Sequence, residues 1–359
     1  MKLLHVINSL HFGGAEKLLV DTIPKFIERG IATDVLVLHA EKTFFYKELA
    51  QKYQVKIVTI KKRNLYSPLH SIQLRKYSKE YDIIHVHLFP SLYWVALSTL
   101  FLKNHAKLVV TEHNTNNRRR NFILLKYLDR YIYKKYDKVI AISKGVKENL
   151  YNHLKERSEG IITIPNGIPT EIFRESIGLS KRDLGIPENA KVIIQVASFT
   201  AQKDQDTLLK AMSILPEEVH VLLVGDGVLR EEKEVLARTL EIDDRVHFLG
   251  YRTDIPQLLK LADVSVLSSH YEGFGLAIVE GMASGNPCIG SDVSGLSEVI
   301  GEAGILFEPG NHVQLKNNIE QLLYDKEYYL KIQKQCIERA QQYDLSIMID
   351  AYVNLYKRL

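Results

Sequence analysis

Short apolar runs separated by longer amphipathic stretches set the pattern of this chain. In the first half they fall at residues 3–7, 34–39, 56–60, 82–88, 108–113, 139–143 and 161–164. In the second half they fall at 192–197, 220–225, 246–250, 264–267, 288–291 and 305–307. Most are continuous and too short for helices, as expected of parallel strands buried on both faces. The intervals leave room for crossover helices, so the pattern predicts two doubly wound α/β domains facing across a cleft. Between them, residues 170–190 are polar, hold breakers such as Pro187, and read as a linker. Residues 315–359 are helical by period, with Asp344 as the expected N-cap of the last helix.

A chain of 359 residues fits two domains of ordinary size. The first strand turns polar at Asn8 without a small-residue cleavage site, which reads as core and not as a signal peptide. The most apolar stretch, 88–102, holds Pro90 and is shorter than the roughly 20 residues that span a bilayer. Two cysteines, Cys288 and Cys336, suggest neither a disulfide framework nor a zinc cluster, and point to a cytoplasmic setting. The net charge of +4 hides an asymmetry: residues 1–170 carry 28 Lys or Arg against 14 Asp or Glu, and the remainder 19 against 29. A basic half joined to an acidic half suggests that the first faces something anionic, although drift in surface composition gives the same count.

The densest candidate chemistry follows the run at 264–267. Ser269-His270-Tyr271-Glu272-Gly273-Phe274-Gly275 leads into a helix that carries Glu280. A strand feeding a glycine turn and a helix presents backbone N–H groups to an anion. A phosphate seat flanked by two acceptor-only carboxylates suits a nucleotide sugar. A solvated Glu272 and a helix-surface Glu280 fit the spacing equally well.

In doubly wound sheets ligands bind at the carboxyl ends of strands, so the loops there hold the further candidates. Gly13-Gly14 follows the first strand without the G-x-G-x-x-G spacing of a dinucleotide site. His113 ends the fifth strand and could donate to a sugar hydroxyl or a departing group, while most lone histidines are structural. His85 and His87, inside the fourth strand, read as packing groups, with no third metal ligand in view and hence no metal site. Lys203 follows the first strand of the second half and can meet a diphosphate as a point charge.

These motifs together resemble glycosyltransferase family 4, the retaining enzymes of the GT-B fold. The resemblance covers nearly the whole chain. It rests on Gly-Gly-Ala-Glu at 13–16, Pro-Asn-Gly at 165–167 and Lys203. Gly-Asp-Gly at 225–227, Leu-Gly at 249–250, Glu272 to Glu280 around Gly-Phe-Gly, and Gly-x-x-Glu-Val-Ile at 295–300 complete it. It implies an N-terminal acceptor-side domain at 1–170, a nucleotide-sugar domain at 171–342, and a last helix at 343–359 that crosses back to the first domain. It implies catalytic roles for Glu272 and His113 at the reacting sugar, with Glu280 on the ribose hydroxyls. Gly14, Lys203, Gly225, Leu249, Gly273, Phe274 and Gly275 would line the donor. The Leu249 turn reads the base through backbone, which leaves uridine and guanosine both open; a UDP-sugar is favoured over a GDP-sugar. In the family an Arg stands five positions before this Lys, where this chain has Ser198, a departure that questions the two-cation clamp.

The resemblance implies transfer of a sugar to a glycan or lipid-linked glycan in cell-surface polysaccharide biosynthesis, with no metal and no cofactor. An epimerase of the same fold and a catalytically silent nucleotide-sugar-binding subunit are the alternatives. Arg118-Arg119-Arg120 and Lys61-Lys62-Arg63, with Phe122, Tyr127, Tyr131 and Tyr133 nearby, suit an anionic membrane surface on the cytoplasmic side. Basic and aromatic residues also suit nucleic acid, but no recognition motif accompanies them, so none is expected.

Overall fold

The computed structural model describes residues 1–11, 13–39, 41–60, 64–100, 106–114, 122–155 and 160–359. The chain forms two compact units, Met1–Gly167 with Leu345–Leu359, and Ile168–Asp344.

The first unit holds β1 (Lys2–Ile7), β2 (Ala32–Val37), β3 (Ile57–Thr59), β4 (Ile83–His87), β5 (Lys107–Glu112), β6 (Lys138–Ala141) and β7 (Ile161–Thr163). They make one parallel sheet in the order β3-β2-β1-β4-β5-β6-β7. β4 is buried along its whole length, as a central strand covered on both faces must be. The order reverses between β1 and β4, which opens a crevice beyond their carboxyl ends.

The last helix, Leu345–Lys357, belongs to this unit. It buries Leu345, Met348, Ile349, Tyr352, Val353 and Tyr356, one helical stripe, against a core that includes Leu3, Phe26, Val109 and Ile140. Removing that stripe from water at about 25 cal/mol per Å2 gives the return segment its reason to fold there.

The second unit holds β8 (Lys191–Val196), β9 (Val219–Val224), β10 (Val246–Gly250), β11 (Val264–Leu267), β12 (Cys288–Ser291) and β13 (Ile305–Phe307). Their parallel order is β10-β9-β8-β11-β12-β13, with the reversal between β8 and β11. Each unit is thus a Rossmann-like α/β domain, and together they are the pair of domains that defines the GT-B fold.

Two local expectations change. The stretch read as a linker contains the helix Thr170–Glu175, whose Phe173 is buried, and it packs as part of the second unit. The long periodic stretch is three helices, His312–Tyr324, Lys326–Gln341 and Leu345–Lys357. The first break comes at Asp325, whose side chain accepts from the Tyr328 amide and caps a new helix. Asp344 stands directly before the last helix, at the expected N-cap position, and its Oδ2 accepts from the Thr170 hydroxyl.

Candidate functional site

In the second unit the loops that leave β8 and β11 are adjacent because those strands are neighbours. The Asp204 amide donates to the Ser268 carbonyl at 3.1 Å, the Ser268 hydroxyl to the Asp204 carbonyl at 2.6 Å, and the His270 amide to the Gln202 carbonyl at 2.9 Å. Lys203 and Ser269 form an antiparallel bridge between the loops. Asp204 also caps the helix Gln205–Met212, which holds the loop from behind.

This stitching brings Lys203 and Glu272 together. The Lys203 ammonium donates to Oε1 of Glu272. The Ser269 hydroxyl donates to the same oxygen at 2.8 Å, and Gln202 reaches Oε2 at 3.5 Å. Glu272 is only 6% exposed, so these donors take the place of the water its carboxylate oxygens give up on burial. Gln202 as a partner of Glu272 was not legible in sequence, because the two stand on loops 70 positions apart, while Ser269 lay in the motif, three positions before Glu272, without a role assigned to it.

Past Glu272 the chain turns through Gly275 into the helix Leu276–Ser284. Gly275 has φ of +90° and a Cβ there would lie 2.7 Å from Leu296 Cδ1, so the turn needs glycine twice over. The helix has no side-chain cap, which leaves first-turn amides available to an anion. Glu280 is half-buried, one turn inside. Phe274 is 3% exposed and its ring meets Tyr343 edge-on at 5.3 Å, so what Phe274 can offer a ligand is backbone.

The Gly225 and Leu249 turns close the other side. The Gly225 amide donates to the Gly250 carbonyl at 2.9 Å, and a Cβ on Gly225 would come within 2.2 Å of the Ala197 carbonyl oxygen. Ser198 is exposed, and no cation replaces it in sequence. Arg230, which the sequence reading overlooked, stands at this turn. Its Nη1 is 3.9 Å from Asp226, its Nη2 donates to the Phe248 carbonyl at 3.4 Å, and its Nε donates to Glu234 at 2.8 Å.

In the first unit, Gly14 begins the helix Gly14–Glu28, again without a side-chain cap. His113 follows β5 and is half-buried. Its Nε2 lies 3.3 Å from His87 Nδ1, and His87 Nε2 lies 3.0 Å from His5 Nδ1. His85 bonds the Tyr356 hydroxyl at 2.6 Å and the Thr111 hydroxyl at 2.7 Å. Burial lowers the basicity of the whole group, to about 3 for His5 and about 4 for His113, so the imidazoles are neutral at neutral pH.

The structure therefore corrects the view that no third ligand lies near His85 and His87. Ligand atoms of His5, His85 and His87 lie within 4.8 Å of one another. Parallel register explains it: His5 pairs with His85, and His87 shares their face two residues on. Of the six ring nitrogens only His5 Nε2 lacks a partner among the described residues. A metal ion would therefore have to displace hydrogen bonds already made.

Lys61, Lys62, Arg63, Arg118, Arg119, Arg120 and Phe12 lie outside the described residues. The helix Ile123–Tyr133 exposes Tyr127 and Tyr131 and is preceded by an exposed Phe122. Tyr133 turns inward and donates to Glu112 at 2.5 Å. Among the described residues no helix is long and apolar enough to cross a membrane.

Comparison with known proteins bears on the whole arrangement. Residues 12–172 match the model of Glycosyltransferase Family 4, and residues 177–343 match that of Glycosyl transferases group 1. The chain is 31% identical over 283 residues to N-acetyl-alpha-D-glucosaminyl L-malate synthase of Bacillus anthracis, covering 77% of this chain and 74% of that one. It is 32% identical over 183 residues to UDP-Gal:alpha-D-GlcNAc-diphosphoundecaprenol alpha-1,3-galactosyltransferase of Escherichia coli, covering 48% and 47%. The crystal structure of Anabaena Alr3699/HepE in complex with UDP and glucose superposes with a TM-score of 0.89 at 23% identity, over 100% of both chains.

Proposed function

The chain is a glycosyltransferase related to Glycosyltransferase Family 4 and to Glycosyl transferases group 1, and from that premise we propose that it is a retaining transferase whose donor is a nucleotide diphosphate sugar, with uridine preferred to guanosine. The observation that carries this reading is the junction of the β8 and β11 loops, where Lys203, Glu272 and an uncapped helix N-terminus converge.

In this reading the diphosphate lies against the amides at Gly273, Gly275 and Leu276, with Lys203 as its cation. Glu280 accepts from the ribose hydroxyls. The Gly225 and Leu249 turns border the nucleotide, and Arg230 supplies a second positive charge in place of the missing Arg at Ser198. Gly14 lines the donor from the first unit. Glu272 is the electrostatic partner of the developing oxocarbenium ion, and His113 gives a hydrogen bond to the reacting sugar. Lys203 and the helix amides take up the negative charge of the departing diphosphate, so no metal ion or cofactor is needed.

The B. anthracis relative is named for a small acidic acceptor, L-malate, and the E. coli relative for a diphosphoundecaprenol-linked sugar. For this chain we favour a glycan or lipid-linked acceptor in cell-surface polysaccharide synthesis. The excess of basic residues in 1–170 suits a pyrophosphate-linked acceptor at an anionic membrane surface, with the protein peripheral on the cytoplasmic face.

The test is donor hydrolysis. The protein would be incubated with UDP-glucose, UDP-galactose and UDP-N-acetylglucosamine, and the released sugar followed by proton NMR. Slow release of the α-anomer first, from at least one donor, is expected. Release of the β-anomer first would refute retention, and neither hydrolysis nor binding of any nucleotide sugar would refute the donor class.

A further inference from the structure

His113 is the outer end of a row of imidazoles that runs into the core. Its Nε2 meets His87 Nδ1 at 3.3 Å, and His87 Nε2 meets His5 Nδ1 at 3.0 Å. The row ends at His5 Nε2, which is buried and has no hydrogen-bond partner among the described residues. We infer that His87 and His5 are positioning residues that hold His113 as its Nδ1–H tautomer, so that His113 presents a hydrogen-bond donor and not an acceptor. This rests on the assignment of His113 to the reacting sugar made above.

A neutral imidazole has one N–H and one bare nitrogen, and the bond made by one nitrogen decides the other. All three rings are neutral at neutral pH because burial disfavours the cation. The row therefore has two polarities only. With protons directed inward, His113 donates to His87, His87 donates to His5, and His5 is left with a buried Nε2–H and nothing to receive it. With protons directed outward, His5 Nδ1–H donates to His87 Nε2, His87 Nδ1–H donates to His113 Nε2, and His113 keeps its proton on Nδ1.

The outward polarity leaves a bare nitrogen at the buried end in place of an orphaned N–H, and orphaned donors are the rarer defect in protein cores. The ring beside His5 is no substitute acceptor. Phe26 lies 5.6 Å away with its plane only 29° from that of His5, so an in-plane N–H cannot point at the face of Phe26. His85 stands outside the row, since its two nitrogens bond Tyr356 and Thr111, but its ring lies 4.3 Å from that of His87, tilted by 36°, and packs against it. At the outer end, a sugar hydroxyl oxygen or a phosphate oxygen is an acceptor, which an Nδ1–H can serve and a bare Nδ1 cannot serve.

The experiment is long-range proton–nitrogen correlation NMR on the full chain labelled with 15N-histidine, at pH 7.5, with the His113 signals identified by their loss in His113→Gln. In the wild type, His113 should carry its proton on Nδ1. A proton on Nε2 overturns the inference whatever the activity shows. In His87→Phe the donor to His113 is gone, and the His113 pattern should move to a tautomer mixture. In His87→Asn, whose amide N–H can stand near the Nδ1 position, the wild-type pattern should largely return. An unchanged pattern in His87→Phe overturns the inference as well. UDP-glucose hydrolysis provides a kinetic reading, where His87→Phe should lower kcat about tenfold, the worth of one transition-state hydrogen bond, with KM nearly unchanged. Full turnover in His113→Phe would count against the role of His113 at the sugar, a failure distinct from that of the tautomer.

Discussion

The Lys203 ammonium donates to the Glu272 carboxylate across the junction of the β8 and β11 loops. The residue assigned to the diphosphate and the residue assigned to the sugar thus hold each other. A diphosphate arriving beside Lys203 competes with Glu272 for the same cation. Replacing Glu272 by Gln removes the competitor and keeps the hydrogen-bonding shape. The expected outcome is a loss of turnover together with tighter UDP binding, by about fivefold if the exchanged pair is worth roughly 1 kcal/mol. Isothermal titration with UDP and a donor-hydrolysis assay read the two effects. Weaker UDP binding in Glu272→Gln would contradict the competition.

The stability of the first unit is expected to fall in mild acid. His5 and His113 have folded pKa values of about 3 and about 4, below the ordinary histidine value, because burial disfavours the cation. Between pH 6.5 and 4 the unfolded chain therefore binds protons that the folded chain refuses. Their contribution is complete above about pH 6.5 and is lost as pH falls through that window. Denaturant titrations at pH 7 and pH 5 should show the wild type losing more stability than His5→Phe, by up to about 1.4 kcal/mol per pH unit for one proton. Equal losses would contradict the burial account of His5.

How much of this was legible beforehand follows the range of the interactions. The strands, the glycine turn before Leu276 and the end of β5 at His113 are local, and their runs and breakers are visible in sequence. The return of Leu345–Lys357 to the first unit was expected from family resemblance, and its buried stripe supplies the physical reason. His5 went unnoticed because its neighbour, β4, is not the next strand in the chain but the one across the reversal. Gln202 was missed for the same reason at β8 and β11. The place of Asp344 just before the last helix was legible locally, whereas its bond from the Thr170 hydroxyl, 174 positions away, was not.

Membrane attachment should depend on charge. The basic residues of 1–170, with Phe122, Tyr127 and Tyr131 exposed nearby, are expected to bind anionic vesicles. Each basic side chain near such a surface contributes about 1 kcal/mol, screened over roughly 8–10 Å at physiological salt. In co-sedimentation, binding should rise with anionic lipid, fall with salt, and drop when Arg118, Arg119 and Arg120 become Ala. Protein that stays in the supernatant at low salt with anionic vesicles would contradict this, and would leave the donor site untouched.

Turnover should survive chelation. In the proposed site, Lys203 and the N-terminus of the helix Leu276–Ser284, which has no side-chain cap, would provide the positive potential that a divalent ion would otherwise bring to a diphosphate. Donor hydrolysis with and without EDTA checks this. Activity that vanishes with EDTA and returns with Mg2+ or Mn2+ would contradict it.

The account stands most directly on where the nucleotide binds. Calorimetric titration of UDP into the wild type, Lys203→Ala and Glu280→Ala measures it. The wild type should bind. Glu280→Ala should lose about 1–3 kcal/mol as a ribose hydroxyl pair loses its acceptor, and Lys203→Ala should weaken binding through loss of the diphosphate cation. Wild-type affinity for UDP in both variants, each with an unchanged melting profile, would contradict the assignment of the donor to the junction of β8 and β11.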